Sequence, residues 1–248
     1  MKVISLNCWG GKGGVEKLSE FFSRHQDIDV FCLQEAWHND TNNRAEEWGH
    51  VGTIVNDIQV CLPDHKLFFH PHWSHWFGLA LFVKNNIKVL DVGDVFVYKE
   101  RFDALDEDGL QNHARNIQFI TLETERRAVT VINFHGLWLG PGKGKNDTEA
   151  RITQSQRIID FMKTLSTPKI LVGDFNILPD TKSIALFEEY GMKNLIREHN
   201  ILSTRSSIYT KEDKFADYIF TDPSVHVNQF SVLKDEVSDH LPLYIDFE

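Results

Sequence analysis

Short apolar runs that stop at a polar residue recur along the chain. Val3-Ile4-Ser5-Leu6 ends in Asn7, Val30-Phe31-Cys32-Leu33 in Gln34-Glu35, and Val129-Thr130-Val131-Ile132 in Asn133-Phe134-His135. Lys169-Ile170-Leu171-Val172 runs into Gly173-Asp174-Phe175-Asn176, and Phe215 to Phe220 carries Asp217 within it. Runs of this length, rich in β-branched residues and closed by polar residues or glycine, predict buried strands. Gly78 to Val83 and Ile87 to Val97 read as strands joined by a Lys84-Asn85-Asn86 turn. Ile117 to Leu122 reads as a strand leading through a Glu125-Arg126-Arg127 hairpin to the His135 strand, and Ser238-Asp239-His240 leads into an apolar segment from Leu241 to Phe247. Between the strands, Val15, Leu18, Phe21 and Phe22 follow helical spacing, and helices are predicted over Thr148 to Leu165 and Lys182 to Tyr190. Asn43 to Gln59 has helical periodicity too, against Gly49 and Gly52. Arg101 to His113 is polar with little periodicity and reads as a surface excursion, and the stretch before Asp213 is irregular.

The strand ends carry the chemistry. On a strand, alternation sets Asp174 and Asn176 on one side; an Asx turn is the other reading of the same residues. A carboxylate there takes a proton from water or holds a cation, and a carboxamide donates to an anionic oxygen. One such end is ambiguous, but repetition of the pattern predicts one shared polar site at the rim of a sheet. Its candidate residues run from Asn7 to His240, so both ends of the chain meet, which predicts a single domain over residues 1–248. A lone Asp217 in an apolar strand is costly without a partner, and His240 is the candidate.

Composition narrows the function. The chain has 248 residues and is 42% hydrophobic, ample for a large core. A net charge of -10 argues against a generally basic nucleic-acid-binding surface, though not against a local basic groove. Three cysteines, too few for a disulfide framework, suit the cytoplasm, and no apolar run approaches the ~20 residues of a membrane span. Nothing in the sequence points to an obligate protein partner.

Two Gly/Lys loops border the predicted rim. Trp9 and Lys12 sit in the first, with glycines that let a ligand approach the backbone; Lys143 and Lys145 sit in the second, Gly136 to Asp147. The first lacks the Gly-Lys-Ser/Thr ending of a Walker loop. Arg115, at the start of its strand, grips a phosphate or forms a surface ion pair. Phe68 to Phe77 is dense in aromatics and reads as a loop at the site mouth that stacks bases or lines an apolar pocket, or as core packing at Trp73 and Phe77. Its His70, His72 and His75 invite a zinc reading, yet no Cys or paired His motif completes a tetrahedral set.

Together, Leu6-Asn7, Leu33-Gln34-Glu35, Asn133-Phe134-His135, Gly173-Asp174-Phe175-Asn176, Asp217-Tyr218-Ile219-Phe220 and Ser238-Asp239-His240 resemble the ordered signature of the endonuclease/exonuclease/phosphatase superfamily. The resemblance spans essentially the whole chain. It implies a four-layer α/β sandwich, with two mostly antiparallel sheets packed face to face and helices outside. It further implies a divalent-metal-dependent phosphoesterase, usually with Mg²⁺ or Mn²⁺, for which a phosphodiesterase is the first reading. In that signature Glu35 matches the principal metal carboxylate, with Asn7 and Asp239 beside it. Asp174 matches the residue that orients or deprotonates the attacking water, and Asn176 the one holding a phosphate oxygen. His135 and His240 match the pair that stabilises the transition state, with Asp217 orienting His240; carboxylate pairing would favour the protonated imidazole. Ala216 stands where a basic residue often precedes the Asp-Tyr strand.

Leu6-Asn7-Cys8-Trp9-Gly10 is similar to the opening of neutral sphingomyelinases, whereas Ala114-Arg115-Asn116-Ile117 and the helix near Arg151 are more like tyrosyl-DNA phosphodiesterases. These local similarities conflict and neither fixes the substrate; DNA or a DNA-linked phosphoester is the slightly favoured reading, and it predicts a basic rim of Lys12, Arg115, Lys143 and Lys145. A phospholipid or small phosphomonoester predicts instead a closed apolar pocket of Trp9, Trp76 and Trp138. A non-catalytic binding module is the third reading, and it predicts the loss of an essential group.

Overall fold

In chain order the elements begin with β1 (Lys2–Asn7), α1 (Val15–Arg24), β2 (Val30–Trp37), α2 (Ile54–Cys61), β3 (His65–Trp73) and β4 (Phe77–Lys84). β5 (Val89–Tyr98), β6 (Arg115–Glu123), β7 (Ala128–His135), α3 (Glu149–Thr164) and β8 (Lys169–Asp174) follow. The chain closes with α4 (Lys182–Glu189), β9 (Lys193–Asn194), α5 (Leu195–Glu198), β10 (Asp217–Thr221), β11 (Val227–Val232) and β12 (Leu243–Phe247). The structure, a computed structural model, describes residues 1–103 and 112–248.

The strands form two six-stranded sheets, ordered β11-β12-β1-β2-β4-β3 and β5-β6-β7-β8-β10-β9. In each sheet the central pair is parallel, β1 with β2 and β7 with β8, and every other neighbour is antiparallel. A parallel pair needs a crossover, and α1 and α3 supply it. Val3, Cys32 and Leu81 of the first sheet share one buried cluster with Val131, Ile170 and Val172 of the second, so the sheets pack face to face. On its outer face the first sheet buries Ile4, Phe31 and Phe82 against Leu18, Phe21 and Phe22 of α1 and Ile54 of α2. Ile158 and Met162 of α3, with Ile184 and Phe187 of α4, cover the second. The four-layer sandwich expected from the resemblance is what forms. No helix among the described residues is long and apolar enough to cross a membrane.

The topology explains the strand-end pattern. β1, β2, β7 and β8 deliver Asn7, Glu35, His135 and Asp174 at or near their C-terminal ends. β10 runs antiparallel to β8, so its first residue, Asp217, pairs with Asp174 at the last. β12 runs antiparallel to β1, which brings the residues just before it, Asp239 and His240, to the same rim.

Some expected elements differ. Asn43 to Gln59 is not one helix: Gly49, at φ 67°, closes a single 3-10 turn over Glu46–Trp48, and α2 starts only at Ile54. β4 and β5 do not pair as a hairpin, because the Lys84-Asn85-Asn86 turn hands the chain from one sheet to the other. Most of Phe68 to Phe77 is strand β3 and a turn, not a loop, with Trp73 and Phe77 buried in the core. The irregular stretch before Asp213 contains β9 and α5, and the last strand begins at Leu243 rather than Leu241. Residues 104–111 of the expected excursion lie outside the described residues.

Gly173 adopts φ 141°, and a Cβ built there would meet the Phe134 carbonyl oxygen at 1.9 Å. Only glycine lets β7 and β8 close up immediately before their functional residues. Gly173→Ala should therefore destabilise the fold by about 1–3 kcal/mol in denaturant titration.

Candidate active site

Asn7 is the hinge between the two sheets. Its Nδ2 donates to Glu35 Oε1 at 3.1 Å and to Asp174 Oδ2 at 2.9 Å, while its Oδ1 accepts from the Trp9 backbone N–H at 2.8 Å. Glu35 sits in an irregularity of β2, between Leu33 and Ala36, at φ 51°. A positive φ in a side-chain-bearing residue is costly and turns the carboxylate out of the pleat. Burial and the nearby Asp239 push the Glu35 carboxyl up from its ordinary value, with the Asn7 hydrogen bond opposing them.

Asp174 is almost fully buried. Its Oδ1 accepts from the Asn176 backbone N–H at 2.8 Å and its Oδ2 from Asn176 Nδ2 at 3.2 Å. The Asx turn and the shared site thus coincide, because β8 ends at Asp174 and Asn176, at φ 53°, folds its side chain back. Burial alone would raise the Asp174 carboxyl, but the charges of His240 and Lys145 outweigh it and hold the group well below the usual carboxylate range.

Two imidazoles face that carboxylate. His135 Nε2 lies 3.7 Å from Asp174 Oδ2 and 3.8 Å from Glu35 Oε1; His240 Nε2 lies 3.6 Å from Asp174 Oδ2. His240 Nδ1 is held by both carboxylate oxygens of Asp217, at 2.8 and 2.9 Å, the pairing expected for that otherwise costly aspartate. Thr204 Oγ1 donates to Asp217 Oδ2 at 2.9 Å. Burial and the neighbouring Arg205 push the His240 imidazole down, yet Asp217, Asp174 and Asp239 together carry it above the ordinary histidine value.

His135 behaves oppositely. Burial, then the adjacent Arg115, lowers it to about 3, and neither ring nitrogen has a hydrogen-bond partner. The two imidazoles therefore differ: His240 has the carboxylate clamp expected for it, and His135 stands neutral.

Ligand atoms of Glu35, His135 and Asp174 lie within 4.8 Å of one another, as do those of Asp174, Asp217 and His240. Above them opens a cleft of about 270 Å³. Trp9, Lys12 and Arg115 line it, as the sequence suggested, together with Lys145 and Trp138. Lys143 and Trp76 are not part of the lining: Lys143 is exposed on its loop, and Trp76 packs partly buried against Trp73. Arg115 is no surface ion pair. Its Nε donates to the Gly136 carbonyl at 2.9 Å and its Nη1 to the Ala114 carbonyl at 3.0 Å, which fixes the backbone beyond His135.

His70 pairs through Nδ1 with Gln118, and His72 is buried beside Arg115 and His135. Neither joins His75 in a cluster of potential ligands among the described residues.

Sequence reasoning missed Arg205, Tyr209 and Lys211, all of which line the cleft. Arg205 Nη1 donates to Asp239 Oδ2 at 3.2 Å and closely approaches His240 Nε2. These residues come from the irregular segment before β10, where no periodicity marks a face. The one local signal is the isolated β-bridge between Arg205 and His240, invisible without the fold.

The sequence profile described as the Endonuclease/Exonuclease/phosphatase family matches residues 4–240. No curated protein matches the chain by sequence at a significant level. Among solved structures, a mannosyl-6-phosphatase from Bacteroides thetaiotaomicron superposes with a TM-score of 0.77 at 18% identity, covering 100% of this chain and 99% of that one. The human Nocturnin catalytic domain with bound sulfate superposes at 0.64 with 19% identity, covering 100% and 94%. A humanized Danio rerio TDP2 superposes at 0.70 with 13% identity, covering 100% and 98%. At these identities the structural matches speak for the fold alone.

Proposed function

Because the chain belongs to the endonuclease/exonuclease/phosphatase family, we propose that it is a divalent-metal-dependent phosphoesterase working at the rim cleft. The observation that carries this reading is a buried Asp174 held by two carboxamides and faced by two imidazoles. Contributions from both ends of the chain support a single domain over residues 1–248.

Glu35, with Asn7 and Asp239, would hold the cation. The residues fit: Glu35 is raised by burial and by a second carboxylate, so the cluster is short of positive charge, and its oxygen donors suit Mg²⁺ or Mn²⁺. Bound there, the ion supplies Lewis-acid neutralisation of charge on the phosphoryl oxygens. Asp174, ionised at neutral pH, accepts a proton of the attacking water and points its oxygen at phosphorus for in-line displacement. Asn176 Nδ2 donates to a non-bridging oxygen. His240, whose proton affinity Asp217 raises, would donate from Nε2 to the phosphoryl group in its protonated form, and His135 donates as a neutral imidazole. Thr204 holds Asp217 in place, so Thr204→Val should lower kcat about tenfold with little change in KM in steady-state assays.

The cleft takes a small or terminal phosphoester more readily than the middle of a duplex. Trp9, Trp48, Phe77 and Trp138 line it alongside the charges, which supports a bounded pocket over an open groove. A DNA-linked ester is the second reading, favoured by Lys12, Arg115 and Lys145 in the lining.

The test is hydrolysis, with Mg²⁺, Mn²⁺ or EDTA, of abasic duplex DNA, a 5′-tyrosyl oligonucleotide, sphingomyelin and simple phosphate monoesters. Turnover is expected to vanish in EDTA and in Glu35→Ala, and Mg²⁺ is expected to raise the Tm of the wild type but not of Glu35→Ala. Turnover indifferent to EDTA would sink the proposal, as would absence of both turnover and the metal-dependent Tm shift.

A further inference from the structure

More cations than carboxylates line the cleft. Five cations line it, Lys12, Arg115, Lys145, Arg205 and Lys211, against the three carboxylates of Glu35, Asp174 and Asp239, in a protein of net charge -10. Three of the five gather round one ring. Arg205 Cζ stands 4.1 Å from the Tyr209 centroid, Lys145 Nζ 5.9 Å and Lys211 Nζ 6.0 Å.

Lys145 is the telling member. Its side chain is buried, with 7% of the residue exposed, and its ammonium has no hydrogen-bond partner although it lines the cleft. An unpaired ammonium shut away from water is costly and asks for an anion. Its backbone is also fixed. Arg151 Nη1 donates to the carbonyls on either side, Gly144 at 3.2 Å and Asn146 at 2.6 Å, and the Lys145 carbonyl accepts from the Leu178 N–H at 2.9 Å. The same Arg151 is anchored through Nε and Nη2 to the Leu137 carbonyl. A buried arginine thus spends its donors on holding a buried lysine in place, which is preorganisation for a ligand.

We infer that Lys145 and Lys211, with Tyr209 between them, form a second anion subsite that binds a phosphate group on the alcohol portion of the substrate, apart from the phosphoryl group being cleaved. Arg205, tied to Asp239 and close to His240, links this subsite to the hydrolytic centre, where the Lys145 charge also acts on Asp174. The inference rests on the phosphoesterase reading and narrows its substrate class to small phosphoesters bearing a second phosphate. The ring of Tyr209 keeps the cations apart and leaves their ammonium hydrogens to the ligand.

The experiment compares the monophosphates and bisphosphates of propane-1,3-diol, butane-1,4-diol and hexane-1,6-diol. Binding is measured by calorimetry and phosphate release with Mg²⁺ by steady-state kinetics, in the wild type, Lys145→Met and Lys211→Met. At least one bisphosphate is expected to bind about tenfold or more tightly than its monophosphate, and Lys145→Met should remove most of that advantage. Equal binding of every pair by the wild type would overturn the inference. So would an equal loss for both members of a pair in Lys145→Met, which would put the lysine on the scissile phosphoryl group. Metal-dependent release without any bisphosphate advantage leaves the hydrolase standing and the subsite refuted. A Lys145-dependent binding advantage without release supports the subsite and refutes the hydrolase.

Discussion

Replacing Asp174 by asparagine should lower kcat on a phosphoester by about a thousandfold or more and leave the fold intact. The side chains are nearly isosteric, so packing between β7 and β10 survives. The chemistry does not. Asp174 accepts three side-chain or backbone N–H bonds through two oxygens, from Asn7, Asn176 and the Asn176 backbone. An amide offers one acceptor oxygen and turns an NH₂ toward donors already present. The variant also loses the negative charge that both imidazoles face at 3.6 and 3.7 Å. A proton acceptor and its positioning are removed together, and general-base catalysis alone is worth about 10²–10⁴-fold. KM should move far less than kcat, because the loss falls on the transition state. The check is steady-state kinetics beside circular dichroism and a melting curve. Turnover within tenfold of wild type, from a folded variant, would remove Asp174 from its assigned role.

Most of the polar cluster at the rim was legible in the sequence because each apolar run is short and ends in a polar residue. A short apolar run closed by a polar residue reads as a strand, and its repetition along the chain points the closing residues to one rim. The same logic found Asn7, Glu35, His135 and Asp174 as strand ends and paired Asp217 with His240 across β10. The resemblance added order and proposed roles that spacing cannot give, such as the metal-holding role proposed for Glu35.

What failed was whatever depends on non-local placement. Lys143 and Lys145 sit two residues apart on one glycine-rich loop, alike by composition. Arg151, on the next helix, holds the carbonyls of Gly144 and Asn146, and so selects Lys145 for the cleft and leaves Lys143 in solvent. Arg205 and Tyr209 come from a segment with no period to read. Trp76 has an aromatic profile indistinguishable from that of Trp9, yet β3 and β4 turn it against Trp73 instead of the cleft. The Asp217 partner of His240 was legible in the sequence, but only the fold reveals the buried Arg115 beside His135.

That difference between the histidines sets the pH dependence. His240→Ala should reduce kcat by about a hundredfold or more, since it deletes a charged donor inside a buried site where such donors are strongest. Its pKa lies above the ordinary 6.5 because Asp217, Asp174 and Asp239 outweigh burial and Arg205. The sign follows. The protonated donor is present below the raised pKa, so kcat should fall on the alkaline side as pH climbs through it. The same linkage makes the His240 contribution to stability fully present below the unfolded value and lost as pH rises through the folded one. Asp217→Asn keeps the hydrogen bond to Nδ1 but removes the charge, so the alkaline limb of the kcat profile should move to lower pH and turnover at neutral pH should drop. His135→Ala lacks such a signature, because its imidazole is already neutral in this range: its loss should lower the profile without shifting that limb. Rate profiles of the three variants, taken at saturating substrate and metal, separate the roles. An alkaline limb unmoved by Asp217→Asn would mean that His240 does not act as the protonated donor.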